Sequence, residues 1–253
     1  MTPGLGSCRD GAVPSRRVLP RFARATRVLL FLAGGMALVH ATPSVQAEPT
    51  SASTSRPLPP EYRIDAGGSV TQRVCFNWSC TSRQRLTFTA SDMAEVARQM
   101  ALCPGDELHD RLQRVRIGIW QMEALAQKYQ PLLANDEAVN DRDHARDGRM
   151  DCIDNASNTT SFLRVLKDLG LLPGWSMTAP QVRDLFSLQV HWTAVIVNRR
   201  DAKPWAVDSW IRPNSHLPFV MPLADWESAR VAWDPPFAAW NPAPRYASQL
   251  CGA

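Results

Sequence analysis

The sequence predicts a protein that combines α-helices with antiparallel β-strands, and three patterns support this. Apolar residues recur every three or four positions from 108 to 129, which is the spacing of a helix that packs one face against a core. A second helix is predicted over residues 152–169. Two segments that alternate between apolar and polar residues, 189–197 and 205–211, predict a β-hairpin.

The first long helix is the clearest element. Its stripe steps by 4, 3, 4, 3, 4 and 3 residues through Leu108, Leu112, Val115, Ile119, Met122, Ala126 and Tyr129. A shorter helix is predicted just before it, because Thr89 to Asp92 has the composition of a helix start and is followed by Met93, Val96 and Met100. The helix over 152–169 should end at Gly170, and Pro173 prevents its continuation.

Composition excludes several classes of protein. The chain has 253 residues, of which 45% are hydrophobic and 21% charged, so it can bury a core and is not a disordered or collagen-like chain. The net charge is +4, but residues 1–47 contain six arginines and one acid. The remainder therefore has 22 basic and 23 acidic residues, a net charge of −1. This balance gives no reason to predict a nucleic-acid partner.

The first 47 residues predict an export signal. A basic segment, Arg16 to Arg27, precedes an apolar run from Val28 to about Val39, and Val45-Gln46-Ala47 fits a signal-peptidase site. The predicted domains are a signal peptide (1–47), a disordered linker (48–60) and one domain (61–253). We expect a periplasmic or secreted protein without stable membrane insertion after cleavage. An uncleaved anchor helix is the alternative.

Cleavage after Ala47 would leave five cysteines, which predicts two disulfides and one remaining thiol. One possible pairing joins Cys75 to Cys80 and Cys103 to Cys251, although connectivity does not follow from sequence. Cys152 would then be the thiol. No CxxC pair at zinc-finger spacing is present, and we predict neither a metal nor a cofactor.

Cys152, His191 and Asp208 are the candidate catalytic residues. A thiolate at a helix start is favoured by the peptide dipoles, an imidazole can activate it, and a carboxylate can orient the imidazole. In an antiparallel hairpin the numbers of directly opposite residues have a constant sum, which is 399 if His191 lies opposite Asp208. The hairpin then closes between Val197 and Ala202 around a four-residue loop, 198–201, with both side chains on one face.

Three segments resemble the transglutaminase-like superfamily, most closely the bacterial transglutaminase-like cysteine proteinases. They are Met150-Asp151-Cys152-Ile153-Asp154-Asn155, Val190-His191-Trp192-Thr193-Ala194-Val195 and Trp205-Ala206-Val207-Asp208-Ser209-Trp210. The resemblance covers about residues 148–212 and implies an α+β, papain/transglutaminase-like fold. In such a fold the nucleophile helix packs on an antiparallel sheet, and here extra N-terminal helices precede it.

The resemblance further implies an exported peptidase or amidase that cleaves an amide bond through a Cys152-His191-Asp208 triad and a thioester. Its partner would be a peptide, protein or cell-wall peptide substrate. The N–H of Cys152 could supply one oxyanion donor, and the sequence identifies no second donor. Hydrolysis and acyl transfer share the thioester and are not distinguished by sequence.

Three alternatives stay open. The chain could be a catalytically inactive transglutaminase-like module that binds or assembles components of the cell envelope. It could instead belong to the cell-wall peptidases that combine one cysteine with two histidines, in which case His216 would be the third residue. The many tryptophans between Trp175 and Trp240 could line a carbohydrate groove, although core packing accounts for such residues more often.

Overall fold

Two antiparallel sheets enclose a central helix in the described part of the chain. The computed structural model describes residues 56–57, 61–139, 146–184, 190–228 and 251. The predicted signal peptide, most of the predicted linker and the Pro- and Trp-rich tail apart from Cys251 lie outside these residues. Among the described helices, none is both long and apolar enough to cross a bilayer.

The N-terminal half contains a three-stranded meander and two helices. Strands β1 (Tyr62–Ile64), β2 (Val70–Phe76) and β3 (Ser82–Phe88) pair in that order. Helix α1 (Ala90–Met100) begins at Thr89, whose side chain accepts from the N–H of Asp92 while the Asp92 carboxylate accepts in return. Helix α2 (Leu108–Tyr129) spans the predicted stripe, and a 3₁₀ turn (Pro131–Asn135) follows it. Both helix predictions are confirmed.

The C-terminal half places a helix against a second antiparallel sheet. The second sheet contains strands β4 (Trp175–Met177), β5 (Gln181–Asp184), β6 (Val190–Asn198), β7 (Pro204–Asp208) and β8 (Phe219–Pro222). Helix α3 (Cys152–Asp168) packs on it mainly at β6, and also at β4 and β7. β4 and β5 both pair with the same edge of β6, and β7 and β8 follow on its other side. A short helix, α4 (Leu223–Ser228), ends this part. The architecture is mixed α and β, compatible with the α+β class.

Helix α3 ends at a glycine, as predicted. Gly170 has a left-handed backbone with φ of 76°, its N–H donates to the carbonyl of Lys167, and the N–H of Leu171 donates to Leu166. A side chain at this φ would be strained, which explains why a glycine terminates the helix.

The main core lies between α2, α3 and the inner faces of both sheets. It includes Phe88 from β3, Leu112 from α2, Phe162 and Leu166 from α3, and Ile196 from β6. A smaller core on the other face of the second sheet contains Ala206, Met221 and Trp226. Residues along β6 and β7 therefore contact one core or the other according to their position in the alternation.

Two disulfides join described residues. Cys75 pairs with Cys80 across the β2–β3 turn, and Cys103 pairs with Cys251, which lies 148 residues further along the chain. Both pairs agree with the pairing considered from sequence. Such bridges are compatible with an extracytoplasmic compartment.

Asn158 attaches α3 to the edge of β2. β1 leaves the end of β2 uncovered, and the Asn158 side chain replaces the missing strand there. Its Oδ1 accepts from the N–H of Cys75 at 2.8 Å and its Nδ2 donates to the carbonyl of Cys75 at 2.9 Å. Both groups are buried, so removing the amide leaves a donor and an acceptor without compensation.

We predict that Asn158→Ala lowers the free energy of unfolding by about 2 kcal/mol. Asn158→Asp should destabilise more, because a buried carboxylate would face the carbonyl of Cys75. Thr160→Val on the same helix is the matched control, because the Thr160 hydroxyl is buried without a hydrogen-bond partner among the described residues. Urea unfolding followed by circular dichroism measures all three. Equal stability of Asn158→Ala and wild type would contradict the prediction.

Candidate active site

The candidate nucleophile, Cys152, is the first residue of α3, as predicted. Asp151 is the N-cap: its Oδ1 accepts from the N–H groups of Ile153 at 3.0 Å and Asp154 at 2.9 Å. The Asp154 carboxylate accepts in return from the N–H of Asp151 at 3.3 Å. This reciprocal pair is a capping box, and it fixes where the helix begins.

Cys152 is disulfide-bonded in the structure, and no cysteine among the described residues is a free thiol. The two disulfides between described residues, Cys75–Cys80 and Cys103–Cys251, do not include Cys152. The prediction that Cys152 is the remaining thiol is therefore wrong for this structure. That prediction rested on the five cysteines that follow residue 47, whereas the whole chain has six.

The predicted hairpin is present, but its register differs by two from the prediction. Val197 pairs with Pro204 and Ala194 with Val207, so paired numbers sum to 401 rather than 399. The N–H of Asn198 donates to Lys203, which closes the turn around residues 199–202. Ala202 has a left-handed φ of 57°, and this local turn conformation, which alternation does not predict, sets the register.

His191 and Asp208 nevertheless share one face of the sheet, as predicted. The register places Asp208 level with Thr193, and His191 lies two residues earlier in β6 on the same side. Such diagonal neighbours are within reach of a long side chain. His191 Nε2 lies 2.6 Å from Asp208 Oδ2, and both side chains are almost completely buried.

Two tryptophans that the sequence prediction did not assign to the site complete it. The indole N–H of Trp226, in α4, donates to Asp208 Oδ2 at 2.8 Å. The centroid of the His191 ring lies 5.5 Å from the centroid of the Trp226 ring and 4.8 Å from that of the Trp210 ring. A tryptophan two positions after the candidate aspartate would have been the sequence signal for Trp210, whereas nothing local identifies Trp226.

The electrostatics favour an ionised Asp208. Burial alone raises the pKa of a carboxyl, but the opposing effects of His191, the Trp226 hydrogen bond and the nearby Arg183 guanidinium outweigh it. The pKa of Asp208 therefore lies below its usual value. Arg183, opposite His191 on β5, also stacks over Trp226 with its guanidinium carbon 4.7 Å from the ring centroid.

The two ring nitrogens of His191 differ in their hydrogen bonding. Nε2 contacts the Asp208 carboxylate, so in the neutral ring this nitrogen carries the hydrogen and Nδ1 has the lone pair. Nδ1 is buried and has no hydrogen-bond partner among the described residues. A buried polar atom without a partner is uncommon in folded proteins, and this one is suited to accept a proton.

Trp210 is the residue that joins the histidine to the start of α3. It forms a small buried cluster with Cys152 and Ile153, and the same ring contacts the His191 ring at a tilt of 40°. Trp192 and Val139 pack against this cluster. Cys152 is 0% exposed, so its side chain is enclosed by the protein and does not lie in an open cleft.

The turn between β2 and β3 docks onto the start of α3, and sequence analysis missed this contact. Ser79 donates its N–H and hydroxyl to Asp151 Oδ2 at 3.0 and 3.1 Å, and Cys80 donates its N–H to Asp154 Oδ1 at 2.6 Å. Residues 77–80 all have left-handed φ angles, between 52° and 63°. This uncommon backbone aims two consecutive N–H groups at the two carboxylates.

These carboxylates alter the charge around Cys152. Burial, and for Asp154 also the charge of Asp151, raise the pKa of both groups, most strongly that of Asp154. The Asp151 cap uses first-turn N–H groups that would otherwise favour a thiolate. A thiolate at Cys152 therefore depends on a cationic neighbour, and His191 is the side chain adjacent to its cluster that can supply the charge.

The described residues include one group with metal-ligand spacing, formed by Cys75, Cys80 and Asp154 within 4.8 Å of one another. Two of its three members are joined as a disulfide, and disulfide sulfurs are not thiolate ligands. The group is therefore better explained as part of the docking turn than as a metal centre.

Comparison with known proteins adds no relative: no family model, no curated protein and no solved structure matches this chain.

We predict that Asp208 contributes to the pH dependence of stability. Because its pKa lies below 3.8 in the folded state, its ionised form stabilises the fold above that pH, and this contribution is lost as the pH falls through the folded-state value. Asn does not titrate, so the stability difference between wild type and Asp208→Asn should shrink from about pH 6 to about pH 3. Urea midpoints across this range measure it. A difference that stays constant or grows on acidification would contradict the prediction.

Proposed function

We propose that this chain is an exported cysteine hydrolase of the papain/transglutaminase-like class that cleaves an amide bond. The observation that carries the proposal is the buried His191–Asp208 pair. One histidine nitrogen contacts the carboxylate, and the other has no hydrogen-bond partner among the described residues. The Trp210 ring that contacts this histidine belongs to the same cluster as Cys152 at the start of α3.

In the proposed reaction, His191 Nδ1 takes the proton of the Cys152 thiol. The thiolate sulfur attacks the amide carbonyl carbon, and the tetrahedral oxyanion collapses as the C–N bond breaks. His191 returns the proton to the leaving amine, which leaves a thioester on Cys152. Water attacks the thioester, gives a proton to His191, and releases the carboxylic acid and the thiol. Asp208 holds the imidazole and stabilises its cationic form.

This reaction requires that the Cys152 disulfide be opened first. We include in the proposal that an external dithiol, or two equivalents of a monothiol, reduces it: the reductant is oxidised to a disulfide, and Cys152 and its former partner are released as thiols. A chain of residues 48–253 has five cysteines and can form at most two internal disulfides. Removal of the predicted signal peptide would therefore leave one cysteine without an internal disulfide partner, which is compatible with this activation.

The substrate class is an extracytoplasmic peptide, protein or cell-wall peptide, in keeping with the predicted export signal. Complete burial of Cys152 means that a substrate must displace part of its cover. Trp192 and Val139 are the partly buried residues of that cover, and Trp192 lies on the face of β6 opposite His191. The backbone N–H of Cys152 is the proposed first oxyanion donor.

One observation favours the second candidate, an inactive envelope module. Cys152 is both fully buried and disulfide-bonded, which is typical of a structural cysteine. In such a module the His191–Asp208–Trp226 contacts would serve only to stabilise the second sheet. The two candidates differ in the reactivity of Cys152 after reduction.

We predict that after mild phosphine reduction Cys152 is alkylated by iodoacetamide at pH 6 about tenfold faster than a simple thiol, because a protonated His191 would stabilise the thiolate. His191→Ala should abolish this excess rate, and Asp208→Asn should reduce it. Peptide mass spectrometry assigns each labelled cysteine. Hydrolysis of a quenched-fluorescent peptide library should require the reductant and should disappear in Cys152→Ala.

His216→Ala is the matched control, because His216 is an exposed histidine outside the proposed triad. Its labelling rate should equal that of wild type. If His216→Ala rather than His191→Ala removed the reactivity, a site with a different histidine would replace the proposed one. If reduced Cys152 in a folded protein behaved as an ordinary thiol, the inactive-module candidate would be supported instead.

A further inference from the structure

The outer face of the N-terminal sheet carries a cluster of four arginines: Arg63, Arg73, Arg83 and Arg85, here called the arginine face. Strand alternation places all four on the side opposite the core, because Arg73 pairs with Arg85, Cys75 with Arg83, and Arg63 with Thr71. The inner face carries apolar residues such as Val70, Val74 and Phe88. Three of the arginines are exposed, and Arg73 is half-buried.

This arrangement is unfavourable for stability alone. Arg73 and Arg85 are direct cross-strand partners, and like charges in that position repel. Glu61 relieves part of the repulsion, because its carboxylate lies 2.9 Å from Arg73 Nη1. The side chains of Arg63 and Arg85 make no hydrogen bond or ion pair with any described residue. The Asp65 carboxylate, which interacts electrostatically with Arg63, accepts from the N–H groups of Gly67 and Ser69.

A groove accompanies the charge. It has a volume of about 540 Å³ and is lined by residues of all three strands, among them Arg63, Arg73, Arg85 and Thr71. Arg83 lies beyond its lining, one step nearer the turn that docks on α3, and its Nε donates to the carbonyl of Cys80. From Arg63 to Arg83 the face extends across two strand spacings and four residues, about 16 Å.

We infer that the arginine face is a docking site for an extended, acidic peptide segment. Guanidinium groups bind carboxylates well, and an extended chain covers about 16 Å with about five residues. Residues on one side of an extended peptide repeat every two positions, as Arg83 and Arg85 do along β3. Carboxylates at alternate positions therefore match the charges of this face.

The charge of the rest of the chain favours a short acidic peptide over a long polyanion. Residues 48–253 have a net charge of −1. A nucleic acid or an anionic membrane would extend well beyond the 16 Å face and meet surface without a positive excess, whereas a short segment would not. The inference uses none of the proposed catalytic residues and stands or falls separately from the proposed function.

The test is fluorescence anisotropy with a fluorescein-labelled heptapeptide that has glutamate at alternate positions. The same peptide with glutamine is the ligand control. At about 50 mM salt the glutamate peptide should bind and the glutamine peptide should not, and binding should be lost near 500 mM salt. Arg63→Gln/Arg85→Gln should weaken binding about tenfold, as expected for two exposed ion pairs.

Two further variants separate location from net charge. Arg98→Gln/Arg199→Gln removes the same charge from α1 and the β6–β7 turn and should leave the affinity unchanged. Glu61→Gln should tighten binding, because it releases Arg73 from its ion pair, and loss of folding cannot mimic a gain. Equal weakening by both double variants, or no gain with Glu61→Gln, would overturn the inference. So would tighter binding of single-stranded DNA or phosphatidylglycerol vesicles that depends on Arg63 and Arg85.

Discussion

The burial of the polar N-terminal half of α3 is the constraint on which most of the structure depends. From Cys152 to Ser161 every residue of this helix is buried, and seven of them are polar. A buried polar group must find a partner inside the protein or reduce the stability of the fold. Asn158 therefore pairs with the backbone of β2, and Asn155 and Thr159 contact the Ser209 hydroxyl that follows β7. The helix thereby links both sheets through specific hydrogen bonds.

The same constraint explains the unusual β2–β3 turn. A left-handed backbone conformation costs a residue other than glycine about 1 kcal/mol or more, and this turn has four such residues in succession. The N–H groups that it aims at Asp151 and Asp154 provide hydrogen-bond donors to two buried carboxyl groups. The Cys75–Cys80 disulfide restricts the turn to few conformations in the unfolded chain as well. Strain in the turn and charge at the helix start are thus parts of one arrangement.

The second sheet contains a pair of polar side chains that is buried to a similar extent. His191 and Asp208 are neighbours because of strand register, and Trp210, Trp226 and Arg183 surround them. Excluding water strengthens the interaction between the imidazole and the carboxylate. The contact would suit an imidazole that gains and loses a proton, and this is why the proposed chemistry depends on it.

The elements with a local cause were predictable from the sequence: the stripe from Leu108 to Tyr129, the Thr89 cap and the Gly170 end follow from side-chain spacing or backbone preference. For His191 and Asp208, alternation predicted a shared face only if the hairpin paired in an even register. The 401 register, the burial of Cys152, the docking of Ser79 on Asp151 and the Trp226 bond to Asp208 emerged only from the packed structure. The register depends on the backbone of one turn residue, Ala202, and the other three join residues that are 18 or more positions apart or depend on packing around the whole helix. The alternation of apolar and polar residues predicts which face of the sheet a side chain occupies. The residues that it contacts on that face depend on how the helices and strands pack together.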